Sequence, residues 1–134
     1  MDDPSVFTRI IHRELPGYIL HEDDRVIVLL SLENHPLVVP KMPVRDIFDL
    51  DDDTAAAIMQ TAVRVARALR AATGCDGVYL SQANGTAAGQ DVFHFHLHLY
   101  PRWHGDGMRI TLAEYDASET AKAALLERLL ATWE

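Results

Sequence analysis

Apolar positions change period along the chain, and each change predicts an element. Val6, Phe7, Ile10, Ile11 and Leu15 recur at helical spacing behind Ser5, a residue type suited to capping, and Pro16 with Gly17 ends the run. β-Branched, aromatic and other strand-forming residues then dominate 18–21 and 25–32, with Glu22, Asp23 and Asp24 between them as a hairpin signal. A break at 33–36 precedes a third strand at Leu37, Val38 and Val39. Residues 51–73 carry the strongest helical pattern. Acidic residues crowd its start, Arg64, Arg67 and Arg70 its later part, and Gly74 follows as a residue able to turn left-handed. Ile58, Ala62, Val65 and Leu69 form its apolar stripe.

Residues 78–83 and 92–100 read as strands on either side of a polar, Gly-containing loop at 84–90, with Pro101 stopping the second. Gly105, Asp106 and Gly107 mark an exposed turn, and an amphipathic helix is predicted over 118–133. Helices before, between and after turn-linked strands predict an α+β fold, a largely antiparallel sheet of about five strands with flanking helices. No repeat or linker divides the chain, so residues 1–134 read as a single domain.

Composition narrows the function classes. The formal net charge of -8 argues against nucleic acid or an anionic membrane as partner, because both need clustered Lys and Arg. A lone cysteine, Cys75, removes any intrachain disulfide and any multi-cysteine zinc site. Apolar runs such as 26–30 are far too short to span a bilayer, so no membrane role is expected. The start of the chain, residues 1–4, is acidic and lacks the basic and apolar regions of a secretory signal, which makes the cytoplasm the expected compartment.

The informative segment runs from Gly89 to Arg102. Read as a strand, it places His94, His96 and His98 on one face and Phe93, Phe95, Leu97 and Leu99 on the other. One such histidine is usually structural, but no local need asks for three in strict alternation. A metal site is a second reading, since imidazole is a common ligand for zinc, copper and iron; no carboxylate or cysteine set completes the sphere. The third is nucleophilic catalysis at phosphorus, in which an imidazole nitrogen forms a phosphoramidate that water then cleaves. The three histidines, a Gly-rich loop and Gln90 supply the parts such a site needs.

The alternating histidines up to Tyr100 resemble the signature of the histidine triad (HIT) superfamily. Further blocks resemble it in order: 6–11, 22–25, 35–41 and 88–90, with 101–102 and 105–107 similar to its bacterial branch. The likeness covers about residues 5–107 and is combined-motif in kind. It implies a HIT-like fold, no cofactor, a homodimer, and hydrolysis or transfer at the α-phosphorus of dinucleoside polyphosphates or nucleoside phosphoramidates. By position His96 resembles the nucleophile, and His98 the histidine on the phosphate oxygen and leaving-group side. His94 and His35 resemble supporting histidines. Gly89, Gln90, Asp91 and Val92 resemble the phosphate-contacting loop, with Asn84 nearby. Phe7, Ile10, Leu29 and Leu32, with Val6, would line the nucleoside pocket. A nucleotide-binding adaptor or sensor with little turnover, and a metal-dependent hydrolase, are the alternatives.

Three departures from the family pattern stand out. The connection ahead of His35 is shorter, so Ser31 falls where a ribose-contacting carboxylate or amide is expected, and Asn34 replaces a glycine. Asp91 stands where a Ser or Thr is common, and its charge would favour a neutral or cationic leaving group, such as an amine, over a second nucleotide. Ser5, Thr8 and Pro43 stand at positions where some bacterial relatives carry zinc ligands. Those groups are poor ligands, so no structural zinc is expected.

Overall fold

Alternate residues of the central strands bury themselves on opposite sides of one sheet. In the computed structural model, which describes residues 4–134, β1 (Ile19–Glu22), β2 (Val26–Leu30), β3 (Pro36–Pro40), β4 (Gly77–Ser81) and β5 (Leu97–Arg102) form a five-stranded sheet of order β1-β2-β3-β5-β4. Every pairing is antiparallel. Of the acidic start of the chain read above for a secretory signal, residues 1–3 lie outside the described residues.

Among the described residues three α-helices accompany the sheet: α1 (Val6–Ile11), α2 (Asp52–Thr73) and α3 (Glu119–Thr132). Val26, Val28, Val38, Leu97 and Leu99 turn to one side, where they meet Ile58, Ala62 and Val65 of α2 and Phe95. Ile27, Leu29, Leu37 and Val39 turn to the other, under Phe7 and Ile10 of α1. Burial on both faces is why β2 and β3 read as continuous apolar runs rather than alternating ones. At about 25 cal/mol per Å² of apolar surface removed from water, these two clusters dominate the folding drive.

Local chemistry sets the element ends. Asp51 accepts from the Thr54 backbone at 2.6 Å to start α2, and Gly74 ends it in the left-handed region at φ 68°. Asp23 closes the β1–β2 hairpin by accepting from the backbone N–H groups of Arg25 and Val26. The first helix is shorter than its apolar spacing predicts. It stops at Ile11 because the chain turns at Arg13, φ 61°, whose guanidinium also bonds the Ile10 carbonyl. Gly17 then passes so close to Ile10 that a Cβ would sit 2.9 Å from its Cγ2.

Two expectations about the last strand are corrected. It begins at Leu97 rather than 92, and Pro101 lies inside it, opposite Val78. Because β3 pairs with β5 only at Leu97 and His98, the side of Pro101 that lacks an N–H faces ground β3 has already left. Beyond it, Asp106 accepts from the Arg102 guanidinium and from the backbone of Trp103 and Met108, holding the exposed turn. From there an irregular stretch leads to α3, none of whose residues is buried.

Candidate active site

Residues 91–96 do not extend the sheet; they fold over the end of β3. The Phe95 N–H bonds the Val44 carbonyl at 2.7 Å, and the Arg45 guanidinium stacks on Phe93 at 4.3 Å from the ring centre. Phe93 is therefore half-exposed instead of sharing the buried face with Phe95, Leu97 and Leu99. The three histidines do not line one strand face either. His98 alone is in β5, and the other two reach the same neighbourhood from the bend.

His94 is wholly buried and works as a clasp. Its Nε2–H donates to the Pro40 carbonyl at 2.7 Å, since a carbonyl can only accept. Its Nδ1 must then be the acceptor, and the Ser5 hydroxyl donates to it at 2.7 Å, with the Thr8 hydroxyl at 3.3 Å. Ser5 in turn accepts from the Thr8 backbone as the cap of α1. The start of α1, the end of β3 and the bend are thus joined through one ring. Burial holds the His94 pKa below the ordinary histidine value, and neighbouring His96 adds to the effect, so the ring stays neutral.

His96 gains its orientation from the bend itself. Its Nδ1 lies 2.7 Å from the His94 carbonyl, so Nδ1 carries the proton and Nε2 presents a bare lone pair. Among the described residues no buried side-chain nitrogen or oxygen lacks a partner and none of them bonds Nε2, so it reaches the surface. The ring is 5.0 Å from Phe7 and 4.9 Å from His98, centre to centre. A regular strand would have carried the ring away from its own backbone; the bend makes this bond possible.

His98 Nδ1 meets His35 Nε2 at 2.8 Å and the Tyr100 hydroxyl at 3.3 Å. His35 Nδ1 meets the Ser31 hydroxyl at 2.9 Å. Burial, then the neighbouring His96 and His35, push the His98 pKa down to about 4 against the opposing pull of Asp91 and Glu33. Burial likewise holds His35 below its ordinary value, with Glu33 opposing. Both are neutral at neutral pH. Burial and the charge of Glu33 raise the Tyr100 phenol, which keeps its proton.

The residues expected around phosphate and nucleoside divide. Gln90 is buried, and both ends of its amide are spent on the loop: its oxygen accepts from Gly85 and its nitrogen donates to the Arg45 and Val92 carbonyls. The Gly89 and Gln90 backbone N–H groups bond the Thr86 and Gly85 carbonyls, and Gly89 has φ 92°. Asn84 holds the Ile47 backbone and pairs with Gln82. These three are braces. Asp91 is exposed yet close enough to act on His98, and Val92 packs on the α1 cluster. Phe7 and Ile10 of α1 are buried against Leu29, Val6 is partly exposed, and Leu32 stands fully in solvent, apart from them. Ser31, placed at the ribose by the sequence reading, instead uses its hydroxyl on His35.

Sequence reasoning assigned no site role to Tyr100 or to the Pro40 carbonyl. It treated Ser5 and Thr8 only as a cap and as poor metal ligands. The available signal was the S-x-x-T spacing at the start of α1, which puts two hydroxyls on one end of the helix. Nothing local says that they meet a histidine 89 residues away.

The family model described as the HIT domain matches residues 12–105. The protein named hit from Bacillus subtilis is 33% identical over 76% of this chain and 74% of its own. Adenylylsulfatase HINT3 from Arabidopsis thaliana is 29% identical over 97% of this chain and 71% of its own. The crystal structure of a HIT family protein from Bacillus anthracis superposes with a TM-score of 0.91 at 29% identity, covering 100% of both chains. With the domain matched across its strands and all four histidines gathered at one site, the chain belongs to the HIT family.

Proposed function

We propose that this protein is a nucleotidyl-transferring hydrolase in which His96 Nε2 attacks the α-phosphorus of a nucleotide. A nitrogen–phosphorus bond forms as the bond to the leaving group breaks, and the leaving group departs as an amine or a phosphate. Water then attacks the same phosphorus, giving a nucleoside monophosphate and restoring His96. The observation that carries this reading is the Nδ1–H bond to the His94 carbonyl, which fixes the tautomer with a free lone pair on Nε2. Because the Gly89 and Gln90 amides are occupied, the nearest ring donor for a phosphoryl oxygen is His98. The A. thaliana relative, an adenylylsulfatase by name, supports the class.

Substrates are dinucleoside polyphosphates or nucleoside phosphoramidates, with Asp91 and Glu33 beside His98 favouring an amine leaving group over a polyanion. The test is intact-mass detection of a nucleotidyl adduct after mixing with both classes. The adduct should form on wild type and vanish in His96→Ala; unchanged turnover in that variant overturns the proposal.

The homodimer is part of the same reading. Leu125, Leu126, Leu129 and Leu130 of α3 are all exposed, as are Trp133 just after it and Met108, Ile110 and Leu112 ahead of it. An isolated helix of this length is marginal in water, so its apolar side needs a cover, and a second copy of the chain supplies an equivalent one.

A further inference from the structure

Two groups that can donate, a hydroxyl and a second imidazole, converge on one nitrogen of His98. Tyr100 approaches Nδ1 with a hydroxyl that keeps its proton, and His35 Nε2 approaches it at 2.8 Å. A bare Nδ1 takes a hydrogen bond from each partner, whereas an Nδ1–H would have one hydrogen to share between the two, so the arrangement favours Nδ1 as the acceptor with the His98 proton on Nε2. His35 must then be protonated on Nε2 and bare on Nδ1. That bare nitrogen faces Ser31, whose oxygen already accepts from the His35 backbone at 3.2 Å and so has its proton to give.

We propose that Ser31 is a positioning residue: by donating to His35 Nδ1 it fixes the tautomer of His35, and through it holds the His98 proton on Nε2 toward the bound phosphoryl group. The short turn is what makes this possible. Ser31 donates its N–H to the His35 carbonyl at 2.8 Å, Asn34 returns to the Ser31 carbonyl at 3.0 Å, and Asn34 takes φ 70° to close the loop. In so tight a turn the serine side chain folds back on the imidazole four residues on. The reverse polarity would ask the Ser31 oxygen to accept two N–H groups of one residue and would split a single His98 Nδ1–H between His35 Nε2 and the Tyr100 oxygen. It would also leave His98 Nε2 as a second lone pair against an anionic phosphoryl oxygen.

The inference rests on the proposed chemistry for its consequence, but its first test needs no substrate. Long-range nitrogen–proton NMR of the wild-type imidazoles should find His98 protonated on Nε2 and His35 on Nε2; a His98 protonated on Nδ1 overturns the proposal outright. Ser31→Ala should move His35 and His98 toward the Nδ1–H form, and unchanged tautomers in that variant also overturn it. Kinetically, Ser31→Ala should lower kcat about ten-fold, the worth of one hydrogen bond in the transition state, with KM little changed. Ser31→Thr, which keeps the hydroxyl, should restore most of it. A rise in KM at unchanged kcat, confined to ribose over 2′-deoxyribose substrates, would mean that the hydroxyl serves the sugar instead. Absence of turnover in wild type would refute the proposed function and leave the tautomer result standing by itself.

Discussion

Replacing Ser5 by alanine removes two contacts with one atom. The hydroxyl accepts from the Thr8 backbone at 3.1 Å as the cap of α1, and such caps contribute about 1 kcal/mol. It also donates to His94 Nδ1 at 2.7 Å, in a ring with no exposure. Stranding a buried acceptor costs about 1–3 kcal/mol. The Thr8 hydroxyl, 3.3 Å from the same nitrogen, takes over part of that bond, which sets the second loss at the low end. The sum is about 2–3 kcal/mol, a large share of the roughly 5–15 kcal/mol that holds a domain folded. Urea unfolding at fixed protein concentration should show the midpoint falling by about 1–2 M for an m value of the usual size. Thr8→Ala alone should cost less, and the double variant more than the two losses added, because each hydroxyl is the other's reserve. Ser5→Asn, which can both cap and donate, should recover most of the loss. A change below about 0.5 kcal/mol for Ser5→Ala would refute the clasp, since it would equal an ordinary surface substitution.

Acid should weaken the fold in a defined window. The unfolded chain binds protons near pH 6.5 that folded His98 refuses until about pH 4, so stability should fall as pH drops between those values, with His35 and His94 shifted the same way; equal urea midpoints at pH 7.5 and 5 would contradict this. Gln90→Ala leaves the Gly85 N–H and the Arg45 carbonyl without their partner and should cost about 2 kcal/mol, read by urea unfolding, with faster amide exchange confined to the loop before His94. Asp91→Ser should reduce the ratio of kcat/KM for amine-leaving over nucleotide-leaving substrates; an unchanged ratio would remove Asp91 from leaving-group selection. Charging the outer side of α3 with Leu126→Glu and Leu130→Glu should convert a dimer to a folded monomer in light scattering, whereas an unchanged mass would place the interface elsewhere.

Periodicity alone determined the parts of this molecule whose surroundings are uniform. Residues 51–73 form α2 because the cap, the apolar stripe and Gly74 are all local signals that agree. β2 and β3 were legible because a run of β-branched residues suits a strand buried on both faces. The spacing of the four histidines and the blocks around them named the family. What alternation could not supply was the course of 91–96: His and Phe in turn satisfy a strand pattern, yet the Val44 carbonyl and the Gln90 brace draw that backbone out of the sheet. Only tertiary contact decided which nitrogen of His94 carries the proton, because its two partners lie 54 and 89 residues away. It also decided that Ser31 turns to His35 rather than outward, and that Gln90 braces the loop. A sequence records which groups are available to donate and accept; the fold decides which of them are close enough to do so.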